Sequence, residues 1–192
     1  FIPISAGIKK ATININNNDC DESLYDFAVE GEFLCSPVAV TFTGLAGFYC
    51  SNSSSVVLTG NFTQGAVFTG SGITDNGNGT AIFDPVVAGV GTHVLQYVYT
   101  DISGCTNSIS QTVTVGALPV VGFSGLAANY FISDPTVTLT GNPMPNGIFT
   151  GPGITSSGNG LAFFNPAMAG AGTHIVNYTF TDTNGCSNSI AQ

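Results

Sequence analysis

The sequence predicts an all-β protein in which two tandem sandwich units follow a non-repeated N-terminal segment, and three observations carry that prediction. Residues 44–111 superimpose on residues 125–192 without an insertion at a spacing of 81, with 35 of 68 positions identical. Two copies of one register imply two similar folded units. Within each copy, short alternating or β-branched runs are separated by Gly, Asn, Ser and Pro clusters, the pattern of strands and tight turns. Neither copy contains a stretch with the apolar period of an amphipathic helix.

The elements are justified in order along the chain. Residues 1–35 fall outside the repeat. Ala11, Thr12, Ile13, Asn14, Ile15 and Asn16 alternate like a strand, whereas residues 21–30 can form about two helical turns with Leu24, Phe27 and Ala28 on one side. The first copy then presents strand-like runs at 38–42, 56–58, 66–68, 80–83, 92–100 and 107–115. In the long run, Leu95, Tyr97 and Tyr99 share one face and Val94, Gln96 and Val98 the other; the second copy sets Val176, Tyr178 and Phe180 against Ile175, Asn177 and Thr179. The aromatic face is expected to be the core face. Asn76-Gly77-Asn78-Gly79 and Ser157-Gly158-Asn159-Gly160 supply residues that accept positive φ in hairpin turns. Pro85 and Pro166, after Asp84 and Asn165, mark strand ends because proline cannot donate to the ladder. Six or seven short strands at this spacing point to two immunoglobulin-like β-sandwich domains. The expected division is 1–35, 36–117 and 118–192, with Gly116-Ala117-Leu118-Pro119 as a short linker that restricts the hinge.

Composition narrows the function classes. The net charge is −9, only 7% of residues are charged, and the only basic residues are Lys9 and Lys10. Nucleic-acid binding requires cations to neutralise phosphates, so it is excluded as an expectation. No run approaches the roughly 20 apolar residues of a membrane-spanning helix. Residues 1–8 precede the lysines instead of following them, the wrong polarity for a signal peptide, so the chain reads as processed or excised from something longer. Six of the eleven acidic residues lie between Asp19 and Glu32. Asp19, Asp21 and Glu22 are candidate calcium ligands, since calcium takes hard oxygens, but their spacing matches no EF-hand. The other reading of this cluster is a solvated face or a partner for Lys9 and Lys10 of another subunit. No other cofactor is expected.

The five cysteines fit an oxidising, extracellular setting. Cys50 and Cys105 are the expected first-domain disulfide, and Cys20 with Cys35 the second pair. Phe131 stands where the second copy would repeat Cys50, which leaves Cys186 as a buried thiol or an intermolecular partner, for example of Cys20 in a neighbour. His93 and His174 each follow Gly-Thr, and a histidine satisfying a loop carbonyl at a strand start accounts for both. No G-x-S-x-G elbow accompanies them, and no catalytic residue is assigned. Asp101 and Asp182, in Thr-Asp-x-x-Gly-Cys turns, are expected to cap those turns. The second copy ends about four residues before the counterpart of Val115. Either the chain continues or another segment completes the edge, with Ile13, Asn14, Ile15 and Asn16 of a neighbouring molecule as a candidate donor strand.

The segments 89–93, 97–108 and 111–115, repeated from Gly170 to Gln192, resemble the immunoglobulin-like repeats of very long secreted surface proteins of Bacteroidetes. That resemblance covers residues 36–192. It implies a structural module of an extracellular adhesin, stalk or polymer associated with type IX secretion, whose partners are neighbouring repeats or further copies joined head to tail. Family repeats usually carry both cysteines, so Phe131 departs from the pattern. Two alternatives remain open: a self-assembling filament subunit joined by strand addition of the N-terminal segment, and a carbohydrate-binding module in which Tyr49, Tyr130 and Phe48 line a groove for a surface glycan.

Overall fold

The computed structural model of the protein describes residues 7–16, 24–36 and 38–192. The architecture is all-β, built from several small sheets, and is consistent with a sandwich-type fold. The chain divides into two compact units: Phe1–Gly47 with Ser54–Val113, and Phe48–Ser53 with Thr114–Gln192. These bounds differ from the expected segments 1–35, 36–117 and 118–192 in two ways: the described residues before 36 group with the first unit, and six residues from inside the first sequence repeat belong to the second.

The N-terminal segment is an antiparallel ribbon of β1 (Gly7–Asn16) and β2 (Leu24–Phe33). The alternating run at 11–16 is a strand as expected, but Ile13, Asn14 and Asn16 face Phe27, Asp26 and Leu24 of the same chain. The helix expected within 21–30 is corrected: from Leu24 onward that segment is strand, because its alternate residues match those of β1. Ala11 and Ile13 oppose Val29 and Phe27 on one face, while Lys10 opposes Glu30 on the other with Nζ and Oε2 at 3.2 Å.

Along the first repeat run β3 (Phe42–Thr43), β4 (Phe48–Cys50), β5 (Val56–Gly60), β6 (Ala66–Thr69), β7 (Ile73–Asp75), β8 (Thr80–Phe83), the one-turn helix α1 (Pro85–Ala88), β9 (Gly91–Thr100) and β10 (Thr106–Gly116). In the first unit β3-β5-β8-β7 form one sheet, and β10-β9-β6 are successive neighbours in another. Between them lie Phe42, Leu58, Phe68, Ala81, Phe83, Leu95, Tyr97 and Val113, all buried. Phe42 meets Phe68 edge-on at 5.3 Å between ring centroids, and Phe68 meets Tyr97 at 4.4 Å. The predicted core face is thus observed at Leu95 and Tyr97, with Tyr99 half-buried and stacked on Phe62 at 3.8 Å.

The second unit repeats this core. It contains β11 (Gly122–Ser124), β12 (Val137–Asn142), β13 (Gly147–Thr150), β14 (Ile154–Ser156), β15 (Leu161–Phe164), α2 (Pro166–Ala169), β16 (Asn177–Thr181) and β17 (Ser187–Ala191). Its sheets are β11-β12-β15-β14 and β13-β16-β17. Phe123 and Phe149 meet edge-on at 5.2 Å, and Phe149 lies 4.6 Å from Tyr178, which reproduces the first-unit aromatic cluster. In addition β4 lies parallel to the end of β10, with Phe48, Tyr49 and Cys50 opposite Thr114, Val115 and Gly116.

The repeated motif Leu-Thr-Gly-Asn now has a physical reason. Leu58 is buried, and any Cβ at Gly60 would overlap the Tyr97 ring, so only glycine lets the ring lie over the strand. Asn61 then accepts from Thr41 N at 3.0 Å and donates to Ala39 O at 2.9 Å, which ties the end of β5 to the approach of β3. The helices α1 and α2 begin where the sequence reading saw only strand ends. Asp84 accepts from Val86 N and Val87 N, Asn165 accepts from Ala167 N and Met168 N, and the proline occupies the first helical turn, where its missing N–H costs nothing.

Candidate functional site

The cysteines are placed differently from the expected pairs. Cys35 is bonded to Cys105 and Cys50 to Cys186, each with Cα atoms 5.5 Å apart. The pairs Cys50–Cys105 and Cys20–Cys35 are therefore corrected, as is the partnerless Cys186; Cys20 itself lies outside the described residues. The reason is the path of β4. Cys50 stands opposite Gly116 in the second unit, alongside Cys186, whereas Cys35 and Cys105 both belong to the first. At the spacing of 81, Gly116 is the counterpart of Cys35. Each unit thus has one bridge to its Asp-x-x-Gly-Cys turn, drawn from the unit's own chain entry in one case and from β4 in the other.

Those turns are built as the sequence predicts. The Asp101 carboxylate accepts from Ser103 N at 2.8 Å and Cys105 N at 2.9 Å, and Asp182 accepts from Asn184 N at 2.9 Å and Cys186 N at 2.8 Å. Each carboxylate therefore positions the backbone that carries a bridging sulfur. The histidines also behave as expected: His93 Nε2 lies 2.8 Å from Gly89 O, and His174 Nε2 lies 3.0 Å from Gly170 O. Both close the loop between a one-turn helix and the following segment.

A pocket of about 750 Å³ lies in the second unit. One wall comes from the segment holding Tyr130, Phe131 and Ile132, the other from Phe164, Pro166 and His174. Tyr130 is held by an edge-on contact with Phe164 at 5.1 Å, and its hydroxyl accepts from Ala127 N at 2.8 Å. Phe131 N donates to Asp134 Oδ2 at 2.7 Å, and Asp134 N returns to Phe131 O at 3.0 Å, closing a tight turn. The arrangement offers aromatic and aliphatic surface beside one imidazole, suited to a flat, weakly polar ligand face. Of the three aromatics expected to share a groove, Tyr130 lines this pocket while Phe48 and Tyr49 lie in β4.

The calcium candidates Asp19, Asp21 and Glu22 lie outside the described residues. Among the described residues no group of three or more His, Cys, Asp or Glu side chains is placed to hold a metal ion, and no helix is long and apolar enough to cross a membrane. Sequence reasoning missed the role of residues 48–50 altogether. The available signal was that Cys105 recurs as Cys186 while Cys35 recurs as glycine, which leaves Cys35 and Cys50 to be shared between the two copies. No protein-family model and no curated protein matches the chain.

Proposed function

We propose that this chain is a structural module of an extracellular bacterial surface protein, an adhesin, stalk or polymer, in which tandem immunoglobulin-like sandwiches provide reach. The observation that supports the reading is one core built twice from one repeated sequence, with a disulfide inside each unit. The resemblance to Bacteroidetes surface repeats points the same way, and disulfides favour an oxidising setting. Single-molecule stretching tests it. The bridges Cys35–Cys105 and Cys50–Cys186 overlap along the chain, so between Cys35 and Cys186 only residues 36–49 can extend while they hold, and the contour length released on unfolding should rise sharply after reduction. Unfolding at thermal forces, or rapid digestion of the oxidised chain by a broad-specificity protease, would remove the proposal.

A second reading, glycan binding, is favoured by the second-unit pocket, whose walls include Tyr130 and Phe131. It requires binding on a glycan array that Tyr130→Ala abolishes without unfolding the chain; an array with no bound sugar ends it.

A further inference from the structure

Residues 129–131 are the counterparts of Phe48–Cys50, and residues 33–35 are the counterparts of the three residues to which that strand is added, Thr114, Val115 and Gly116. The spacing of 81 holds structurally this far back: Asn107 Nδ2 donates to Val38 O, and Asn188 Nδ2 donates to Pro119 O at 2.9 Å. Where strand addition occurs, the acceptor is covered, and Val115 is 1% exposed. At the two counterpart positions both sides lie open. Leu34, which matches Val115, is 74% exposed, and Phe131, which matches Cys50, is 78% exposed.

We propose that residues 129–131 donate a parallel strand to residues 33–35 of a second copy of this chain, with Asn129 opposite Phe33, Tyr130 opposite Leu34 and Phe131 opposite Cys35. The donor already has the required local form. Cys50 N donates to Ser53 Oγ at 3.0 Å and Ser53 N to Cys50 O at 2.9 Å, and the same two bonds join Phe131 and Asp134 in the second copy. Backbone pairing uses the strand edge, so Tyr130 keeps its ring on Phe164.

The cysteine pattern selects this partner. In the second unit the acceptor position is Gly116, and the added strand brings the sulfur that bonds Cys186. In the first unit the acceptor position is Cys35, which already bonds Cys105. A donor carrying another cysteine would set a spare thiol beside a completed bridge; Phe131 brings an apolar ring instead. A small pocket of about 110 Å³ beside the Cys35–Cys105 bond, with Val38 and Tyr99 in its walls, offers apolar surface to it. Donor and acceptor are different surfaces of one chain, so the contact is heterologous and propagates head to tail. This inference rests on the structural-module reading and names its self-association.

The test transfers the second-unit arrangement to the contact between copies. In a Cys20→Ser background, the double variant Cys35→Gly with Phe131→Cys is oxidised with glutathione disulfide. The expected result is a covalent ladder on a non-reducing gel, with peptide mapping joining the introduced thiol to Cys105 of another chain. A monomer, or introduced thiols joined only to one another, overturns the proposal. Should that variant fail to fold, Leu34→Asp and Phe131→Asp chains are compared by sedimentation velocity. Each alone should be monomeric, and their mixture should stop at a one-to-one dimer, since one retains the donor and the other the acceptor. Wild-type association that survives both substitutions, or a wild-type chain that stays monomeric throughout, also overturns it. Neither outcome touches the module reading, which is judged by stretching and digestion.

Discussion

Tyr97 and Tyr178 occupy the same place in their units but are held differently. The Tyr97 hydroxyl donates to Phe62 O at 2.9 Å and accepts from Phe62 N at 3.0 Å. At the matching position the second copy has Pro143, which has no N–H, and Tyr178 only donates to its carbonyl. Tyr97→Phe leaves a donor and an acceptor without their partner, so it should cost about 1–3 kcal/mol and more than Tyr178→Phe, as read from denaturant midpoints. Gly60→Ala drives a methyl into the Tyr97 ring and should cost about 1–3 kcal/mol by overpacking. Burial pushes the Tyr178 phenol above its ordinary value of 10.0. The unfolded chain ionises first, so this tyrosine leaves stability unchanged below about pH 10 and lowers it as pH rises further. In Tyr178→Phe that alkaline loss should be smaller, as measured by midpoints across the alkaline range.

At the scale of elements, local chemistry was legible and distant pairing was not. The turns at 76–79 and 157–160, the capping carboxylates and the two histidines all act within four residues of themselves, and their sequence patterns were sufficient. The ribbon shows the opposite case. Leu24, Phe27 and Ala28 fit a helical face, yet Phe27, Val29 and Gly31 also alternate with Asp26, Ala28 and Glu30; pairing with β1 selects the second period. A three-residue strand such as β4 carries no periodic signal, and it is joined in parallel to residues more than sixty positions away. Hence the bridges, which follow β4, could not be assigned from proximity along the chain. Cys50→Ser should destabilise the second unit and Cys35→Ser the first, each by about 4–5 kcal/mol in the chain-entropy account of loops this long. Hydrogen exchange resolved by unit checks the assignment, and a loss confined to the wrong unit refutes it. Lys10→Ala should be silent in the same assay, since an exposed pair of this kind contributes about 1 kcal/mol at most.

For the molecule as a whole, the scarcity of charge has a measurable result. With two basic residues and a single ion pair among the described residues, there is little for salt to screen. The unfolding midpoint should therefore move little between about 0.02 and about 1 M sodium chloride; a shift of many degrees would show that acidic repulsion matters more than the fold implies. The path through Phe48–Ser53 also has a temporal consequence. During synthesis Cys50 emerges long before Cys186, and Cys105 arrives in between as a rival partner for it. Native oxidation thus depends on Cys35 claiming Cys105 first. A slow race at that step would strand Cys50 on Cys105 and leave the last-made sulfur alone, so a disulfide isomerase should speed the oxidative refolding of this chain.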